Sequence, residues 1–203
     1  MIALQTLIVS FAFSFVGSIP PGTINISVIQ LSLDRKYYAA IRFALAAAIV
    51  EYPYAFIAVR FEEYITSTPL VVENFTIIAG LAMILLGILN LWPSKQPLQI
   101  TEKYKHSGFR KGVVISMLNP LAIPFWIGVT AYLKSNGWVS TDNNLIYLYV
   151  LGVSAGTFAL LLMLAVLAKK ATRFVEQGLW LKKLPGTIFL LLGIYTLGRY
   201  FLL

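Results

Sequence analysis

The sequence predicts an all-α integral membrane protein of six transmembrane helices, arranged as two inverted repeats of three helices. The first observation is composition: 59% of the 203 residues are hydrophobic and 12% are charged, whereas soluble domains are about half apolar and carry roughly 25% charge. The second is that the apolar residues form long, even runs, unlike the alternating segments of about ten residues in membrane barrels. The third is that the order of these runs repeats. We therefore expect a single transmembrane domain, residues 1–203.

Six apolar runs are long enough to cross a bilayer, which takes about 20 apolar residues in a helix. We number them spans 1 to 6 in chain order, and they lie within 1–33 and at 38–59, 74–93, 112–133, 143–168 and 184–203. The first three spans form repeat one (1–93) and the last three form repeat two (112–203), joined by a cytoplasmic loop at 94–111.

The basic residues behind the net charge of +8 cluster in the loops between apolar runs, so the charge does not indicate a nucleic-acid partner. The loops after spans 1, 3 and 5 hold thirteen of the sixteen Lys and Arg residues, and the opposite side holds Arg60, Lys134 and Arg199. Because basic residues concentrate in cytoplasmic loops, we expect both termini outside a bacterial inner membrane. The N-terminal "MIALQTLIVS" has no basic region, which indicates a retained span and not a signal peptide.

The third and sixth spans resemble each other. "GLAMILLGILNL" (80–91) and "GTIFLLLGIYTL" (186–197) are identical at six of twelve positions, including both glycines. Each half also begins with a proline-containing span. Because three spans are an odd number, the second half must run inverted relative to the first, a recurring transporter design with the site at the repeat interface. Glycines here and at Gly152 and Gly156 are expected to let helices approach closely.

Prolines are expected to break spans 1 and 4. In "GSIPPGTINIS" (17–27), Pro20, Pro21 and Gly22 interrupt a run of 33 uncharged residues; unbroken, it would make a helix of about 50 Å across a core of about 30 Å. In "LNPLAIPFW" (118–126), Asn119 is predicted to cap a helix that begins at Pro120. Thr23 is predicted to cap a half-helix in the same way.

Two half-helix N-termini near the membrane centre would attract a carboxylate, since each has free N–H groups and about half a positive charge. Packing kinks, which are common in membrane helices, are the alternative interpretation. The predicted substrate-binding residues are Pro20, Pro21, Gly22, Thr23, Asn25, Asn119, Pro120, Ser154 and Thr157.

Glu51, in "AAAIVEYPYAF", is the one acidic residue well inside a predicted span. A charge at that depth costs roughly 2.5–3.5 kcal/mol on insertion scales and usually marks function. We predict that Glu51 couples transport to protons, or pairs with a substrate ammonium. The alternative is a protonated side chain bonded to a tyrosine or a backbone carbonyl. Positive helix ends and one carboxylate together indicate a zwitterionic, amino-acid-like solute.

Other function classes have little support in the sequence. There is no cysteine and a single histidine, His106, and we find no Ser/His/Asp set, metal motif or phosphate loop, so neither an enzyme nor a cofactor is expected. A channel or metal-ion exporter of similar architecture remains an alternative. One carboxylate with a few neutral oxygens would, however, give a hard cation few of the oxygen ligands that it needs. A subunit without transport activity also remains open.

These motifs resemble the lysine exporter (LysE/RhtB-type) translocator family over nearly the whole chain. "PPGT" (20–23) stands where the family carries Pro-Gly-Pro, "NPLAIPFW" (119–126) where it carries Asn-Pro-Lys-Ala and aromatic residues, and Glu51 where it carries an acid. Thr23 and Leu121 depart from the pattern, the latter replacing a lysine. The resemblance implies export of amino acids or related metabolites by proton antiport, and a homodimer in the lipid bilayer.

Overall fold

The computed structural model describes residues 1–20, 22–67, 108–119, 122–142 and 144–168, together with single helical residues between 77 and 88 and between 187 and 198. These stretches contain no strand and fold into six helices, so the all-α prediction is confirmed for them. The helices are α1 (Ile2–Gly17), α2 (Thr23–Leu33), α3 (Tyr37–Ser67), α4 (Gly108–Met117), α5 (Ala122–Ser135) and α6 (Leu145–Ala168). Predicted spans 3 and 6 lie almost wholly outside the described residues.

Helices α3 and α6 are long and apolar enough to cross a membrane. Helices α4 and α5 pass the same test as a pair that bends by 69° between them. Helices α1 and α2 are apolar but shorter, with 16 and 11 residues. The described chain is therefore a multi-pass membrane protein in which the region of predicted span 1 and that of predicted span 4 each form two helices.

The break between α1 and α2 is stabilised by a side chain of α2 itself. Gly22 precedes α2 in an extended conformation, with φ −109° and ψ −177°. The side-chain amide of Asn25 donates to the carbonyl oxygens of Ser18 at 2.7 Å and Pro20 at 3.1 Å. Carbonyls freed at the end of a helix are costly in hydrocarbon, so the buried Asn25 amide supplies partners that water cannot.

The break between α4 and α5 receives the same kind of support from another helix. The hydroxyl of Tyr54, on α3, donates to the carbonyl oxygen of Met117, the last residue of α4, at 2.7 Å. Pro124 lies in the first turn of α5. Backbone N–H groups in the first turn make no bond within the helix, so the N–H group that proline lacks is not missed there. At both breaks, carbonyl oxygens where the first helix ends therefore accept a hydrogen bond from a side chain.

Helix α1 packs along α6 through small residues. A Cβ atom on Gly156 would lie 2.7 Å from the Cβ atom of Ser14, and one on Gly152 would overlap the backbone of Leu7. The hydroxyl of Ser14 donates to the carbonyl oxygen of Val153 at 2.6 Å. The predicted close approach at these two glycines is therefore confirmed.

Contacts at the two ends of the bundle give the direction of each helix. At one end, which we call the Glu62 end, the amide of Ser140 donates to Thr6 of α1 at 3.1 Å, and Lys134 of α5 pairs with Glu62 of α3. At the opposite end, the Gly108 end, the start of α4 lies against the backbone of Ala39, near the start of α3. Helices α1 and α5 therefore occupy the Glu62 half of the bundle, and α2 and α4 occupy the Gly108 half.

Two buried apolar clusters correspond to these halves. The cluster in the Glu62 half is built from α3, α5, α6 and Val139, and its largest members are Trp126 and Tyr149. The cluster in the Gly108 half is built from α2, α3, α4 and α6 around Phe43 and Val28. The two breaks lie between the clusters, so the irregular backbone sits where the helices from both halves meet.

Helix α3 is longer than its predicted span. The sequence placed the end of span 2 at Val59, whereas α3 continues to Ser67 and includes Glu62 and Glu63. Both lie near the end of α3, so Glu51 remains the acid near the middle of the helix. The apolar run ends before Arg60, which is why the predicted span stops there. In the structure Arg60 pairs with Glu63 at 2.9 Å and Glu62 pairs with Lys134, so charged residues extend the helix past the apolar run.

Candidate functional site

The two breaks meet through aromatic side chains. Gly17, the last residue of α1, lies against the ring of Phe125 in the first turn of α5, where a Cβ atom on Gly17 would come within 2.7 Å of Phe125 Cζ. The rings of Phe125 and Trp126 pack edge to face, with centroids 5.0 Å apart. The end of one half-helix and the start of another are thus in contact, although 108 positions separate these residues in the chain.

Glu51 points into the protein, toward this meeting point. The indole N–H of Trp126 donates to Glu51 Oε1. Trp126 is 1% exposed and Glu51 is partly buried. The hydrogen bond joins α3, in predicted repeat one, to α5, in predicted repeat two. A movement of α5 away from α3 must therefore break or exchange the bond that holds the carboxylate.

The same region of α3 also touches the other side of the break. Tyr54 follows Glu51 by three positions, which places both side chains on one side of the helix. Glu51 reaches the start of α5, and Tyr54 reaches the end of α4. Trp126 belongs to the motif at 119–126, whereas a role for Tyr54 was not predicted from the sequence. The three-residue spacing of an acid and a tyrosine beside Pro53 was the available signal.

The predicted residues of the first break have structural partners. Asn25 is occupied with the carbonyls that follow α1, including that of Pro20. Gly22 is the residue before α2, and Thr23 is its first residue, without a side-chain cap. The prediction that Thr23 caps the half-helix is therefore wrong, because the chain enters α2 one residue earlier. Pro21 lies outside the described residues.

The predicted cap of the second break stays a prediction. Helix α5 is described from Ala122, and the two residues between Asn119 and Ala122 are not described. The backbone N–H of Asn119 donates to the carbonyl oxygen of Ser116 at 3.1 Å, which continues the last turn of α4. Pro120, the predicted first residue of the helix, lies outside the described residues, as does Leu121.

Ser154 and Thr157 lie on α6 beside the breaks. The hydroxyl of Ser154 donates to the carbonyl oxygen of Ala48 on α3 at 2.7 Å. Thr157 shares hydrogen bonds with Ser14 at 3.0 Å and with Ser18, just past the end of α1, at 3.4 Å. Ser154 therefore lies about one turn of α3 from Glu51, Thr157 lies beside the end of α1, and both hydroxyls tie α6 to its neighbours.

A metal-binding group is not found in the part of the chain that the structure describes. Within those residues, no three His, Cys, Asp or Glu side chains come together in a way that could hold an ion. The carboxylate at the meeting of the breaks is instead paired with an indole. The arrangement brings one carboxylate, the start of α5 and aromatic side chains together at the end of α1.

Comparisons with known proteins agree with this architecture. A family model described as LysE type translocator matches residues 15–199, which include both breaks and Glu51. "Putative amino acid efflux protein YcgF" of Bacillus subtilis (strain 168) is 23% identical over 185 residues, which cover 88% of each chain. No solved structure matches the chain.

Proposed function

The chain belongs to the LysE type translocator family, and from that premise we propose that it exports amino acids or related small zwitterionic metabolites by proton antiport through Glu51. The family is one of transporters, and the similar Bacillus protein is named for amino acid efflux. The single observation that carries the proposal is the bond from Trp126 to Glu51 at the meeting of the two breaks. It supports the proposal because the bond joins an ionisable group of α3 to α5, and in the proposed mechanism these two parts of the chain separate for a solute to pass.

The directions of the described helices support two inverted repeats. Helices α1 and α2 run from the Glu62 end to the Gly108 end through a break, and α3 returns without one. Helices α4 and α5 run the opposite way through a break, and α6 returns. Each half therefore has a helix with a break followed by a continuous helix, and the two halves run in opposite directions. Alternating access between two inverted repeats uses this arrangement.

In this proposal the substrate lies between the ends of the half-helices. The N-termini of α2 and α5 attract its carboxylate, and Glu51 accepts its ammonium or a proton. The residues predicted from the sequence to bind the substrate, of which Pro21 and Pro120 lie outside the described residues, are proposed to border this position. The loop charges orient export from the cytoplasm toward the Glu62 end, with both termini outside the inner membrane.

Replacing the carboxylate tests the coupling. We expect Glu51→Gln in proteoliposomes to lose amino acid export driven by a pH gradient, because the amide binds no proton in this range, while solute counterflow without a gradient persists. Asp142→Asn, which changes an exposed loop carboxylate, is the matched control and should export normally. Export by Glu51→Gln at the wild-type rate under the same gradient would refute proton coupling through this residue.

The same liposomes distinguish the channel or metal-ion exporter predicted as the alternative. An exporter of amino acids shows saturable counterflow of labelled amino acid, which neither a channel nor an ion-specific carrier gives. The family resemblance also implies a homodimer. Light scattering of the protein in detergent should then give twice the chain mass of 22.6 kDa after subtraction of detergent.

A further inference from the structure

Two exposed arginines stand near the two ends of α3. Arg60 follows Arg42 by eighteen positions, which is five turns of helix, so both arginines lie on the same side of α3 and about 27 Å apart. The hydrocarbon core of a bilayer is about 30 Å thick. A membrane-spanning α3 therefore places both arginines at the level of lipid headgroups, Arg42 at the Gly108 end and Arg60 at the Glu62 end.

The surface of α3 between the two arginines is apolar and exposed. Leu45 and Ile49, on the same side of the helix as Arg42, are 44% and 50% exposed. Glu51, the one charged residue between Arg42 and Arg60, points into the protein and accepts the indole N–H of a buried tryptophan. This side of α3 is therefore suited to contact with the acyl chains of lipids.

An exposed tyrosine accompanies each arginine. Tyr38 precedes Arg42 by four positions and is 81% exposed, and Tyr64 follows Arg60 by four positions and is 68% exposed. Tyrosine is enriched at both membrane–water interfaces, where its ring lies at the level of the headgroups. The two tyrosines therefore support the same placement of α3 in the bilayer as the distance between the arginines.

The two arginines differ in what compensates their charge. Arg60 donates a hydrogen bond to Glu63 Oε2 at 2.9 Å, and its guanidinium carbon lies 5.4 Å from the centre of the Phe56 ring. Arg42 forms no ion pair with any residue that the structure describes. Arginine side chains near the end of a membrane helix extend to the headgroups, and the anions available there are phosphates.

The Gly108 end also has an excess of positive charge. Arg35 and Lys36 lie in the turn between α2 and α3, and Arg110 and Lys111 lie in the first residues of α4. Among the described residues of this end the one acid is Asp34, which lies 3.8 Å from Lys36. Basic residues at the cytoplasmic face attract anionic lipids, so this end favours a headgroup with a net negative charge.

We propose that Arg42 binds the phosphate of an anionic phospholipid, of the phosphatidylglycerol type, whose acyl chains lie along Leu45 and Ile49. The planar guanidinium holds a phosphate through two parallel N–H···O bonds, and the other basic residues of the Gly108 end attract the net charge of the headgroup. Arg60 does not form such a site, because Glu63 already pairs with it. Lipid binding at Arg42 does not require that the chain exports amino acids.

Native mass spectrometry of the whole chain in detergent tests the proposal. Phosphatidylglycerol and phosphatidylcholine share a phosphate and differ in net charge, and the dissociation constant of the first bound lipid is measured for each. We expect the parent to bind phosphatidylglycerol more tightly than phosphatidylcholine. Arg42→Gln should weaken phosphatidylglycerol binding about fivefold, the factor that one basic residue supplies near an anionic surface.

Two further variants separate a site at Arg42 from a general effect of charge. Arg42→Lys keeps the positive charge without the planar fork, and it should bind phosphatidylglycerol more tightly than Arg42→Gln and less tightly than the parent. Arg60→Gln is the matched control, because it removes an exposed arginine from the same side of the same helix. It should bind phosphatidylglycerol like the parent.

Several results would overturn the lipid site. Phosphatidylglycerol binding that is unchanged in Arg42→Gln, or that falls equally in Arg60→Gln, means that Arg42 does not hold the headgroup. Equal binding of the two lipids by the parent means that the site does not select anionic lipids. Displacement of bound phosphatidylglycerol by inorganic phosphate means that the anion alone is recognised and that the apolar side of α3 contributes nothing.

Discussion

The two halves of α3 pack against their neighbours by different means. In the half that begins at Tyr37, backbone meets backbone: Gly108 and Gly112 of α4 lie directly against Ala39 and Phe43. From Glu51 onward, by contrast, two long side chains of α5 reach across to α3, and both end on a carboxylate. The first contact has no room for another arrangement, whereas the second consists of bonds that can exchange partners.

The difference indicates which half is suited to movement. Close-packed backbones transmit strain and do not deform gradually, so α4 and the first half of α3 are expected to move as one unit. Hydrogen bonds and ion pairs to carboxylates can be taken over by a solute, a proton or water. We therefore expect α5, and not α4, to separate from α3 during transport.

The largest expected effect comes from filling the tight half. A Cβ atom on Gly108 would overlap the backbone of Ala39, which cannot move aside as a flexible side chain could. Gly108→Ala should destabilise the protein by about 3 kcal/mol, the upper end of the usual cost of overpacking. Thermal unfolding in detergent, followed by size-exclusion chromatography, measures the change. Gly128→Ala on α5, where a Cβ atom meets nothing within 4 Å, is the matched control, and equal behaviour of the two variants would contradict a rigid α3–α4 contact.

A smaller effect is expected from removing one charge in the other half. Lys134→Met leaves the buried Glu62 without its ammonium, and we expect a loss of about 2 kcal/mol, below the 3–5 kcal/mol of a fully buried pair because the lysine is partly exposed. Adding Glu62→Met should restore most of the stability. A double-mutant cycle of unfolding free energies measures the coupling, and additive single effects would mean that the pair does not hold the two helices together.

Much of the architecture could be predicted from the sequence because it follows from local chemistry. Proline removes a helical hydrogen bond and clashes with the preceding turn, so both breaks were expected near Pro20 and Asn119, although Pro53 lies inside α3 without interrupting it. Small residues at Gly152 and Gly156 allow close contact. The inward position of Glu51 follows from the cost of exposing a carboxyl group to lipid.

The partners of these groups could not be predicted, because they depend on how distant segments meet. A cap was assigned to Thr23, the polar residue nearest the first prolines, but Gly22 is the residue before α2 and no side chain caps that helix. The side chains that do reach the breaks bond to carbonyl groups: Asn25 reaches back five to seven positions, and Tyr54 reaches the end of α4 from another helix. Glu62 was missed because hydropathy ends the span at the first charge, while its partner lies 72 positions later.

The smallest effect is expected where a single hydrogen bond lies beside the break between α4 and α5. The Tyr54 hydroxyl donates to Met117 at the end of α4, so it holds the end of α4 against α3 at the point beyond which α5 is expected to move. Tyr54→Phe should cost about 1 kcal/mol of unfolding free energy, the net value of one hydrogen bond, and Tyr38→Phe, at an exposed position on the same helix, should cost nothing measurable. Because the freed carbonyl adjoins the break, transport should slow more than this small loss of stability explains. Unchanged counterflow in Tyr54→Phe, measured in liposomes at equal protein content, would mean that the end of α4 does not control the separation of α5 from α3.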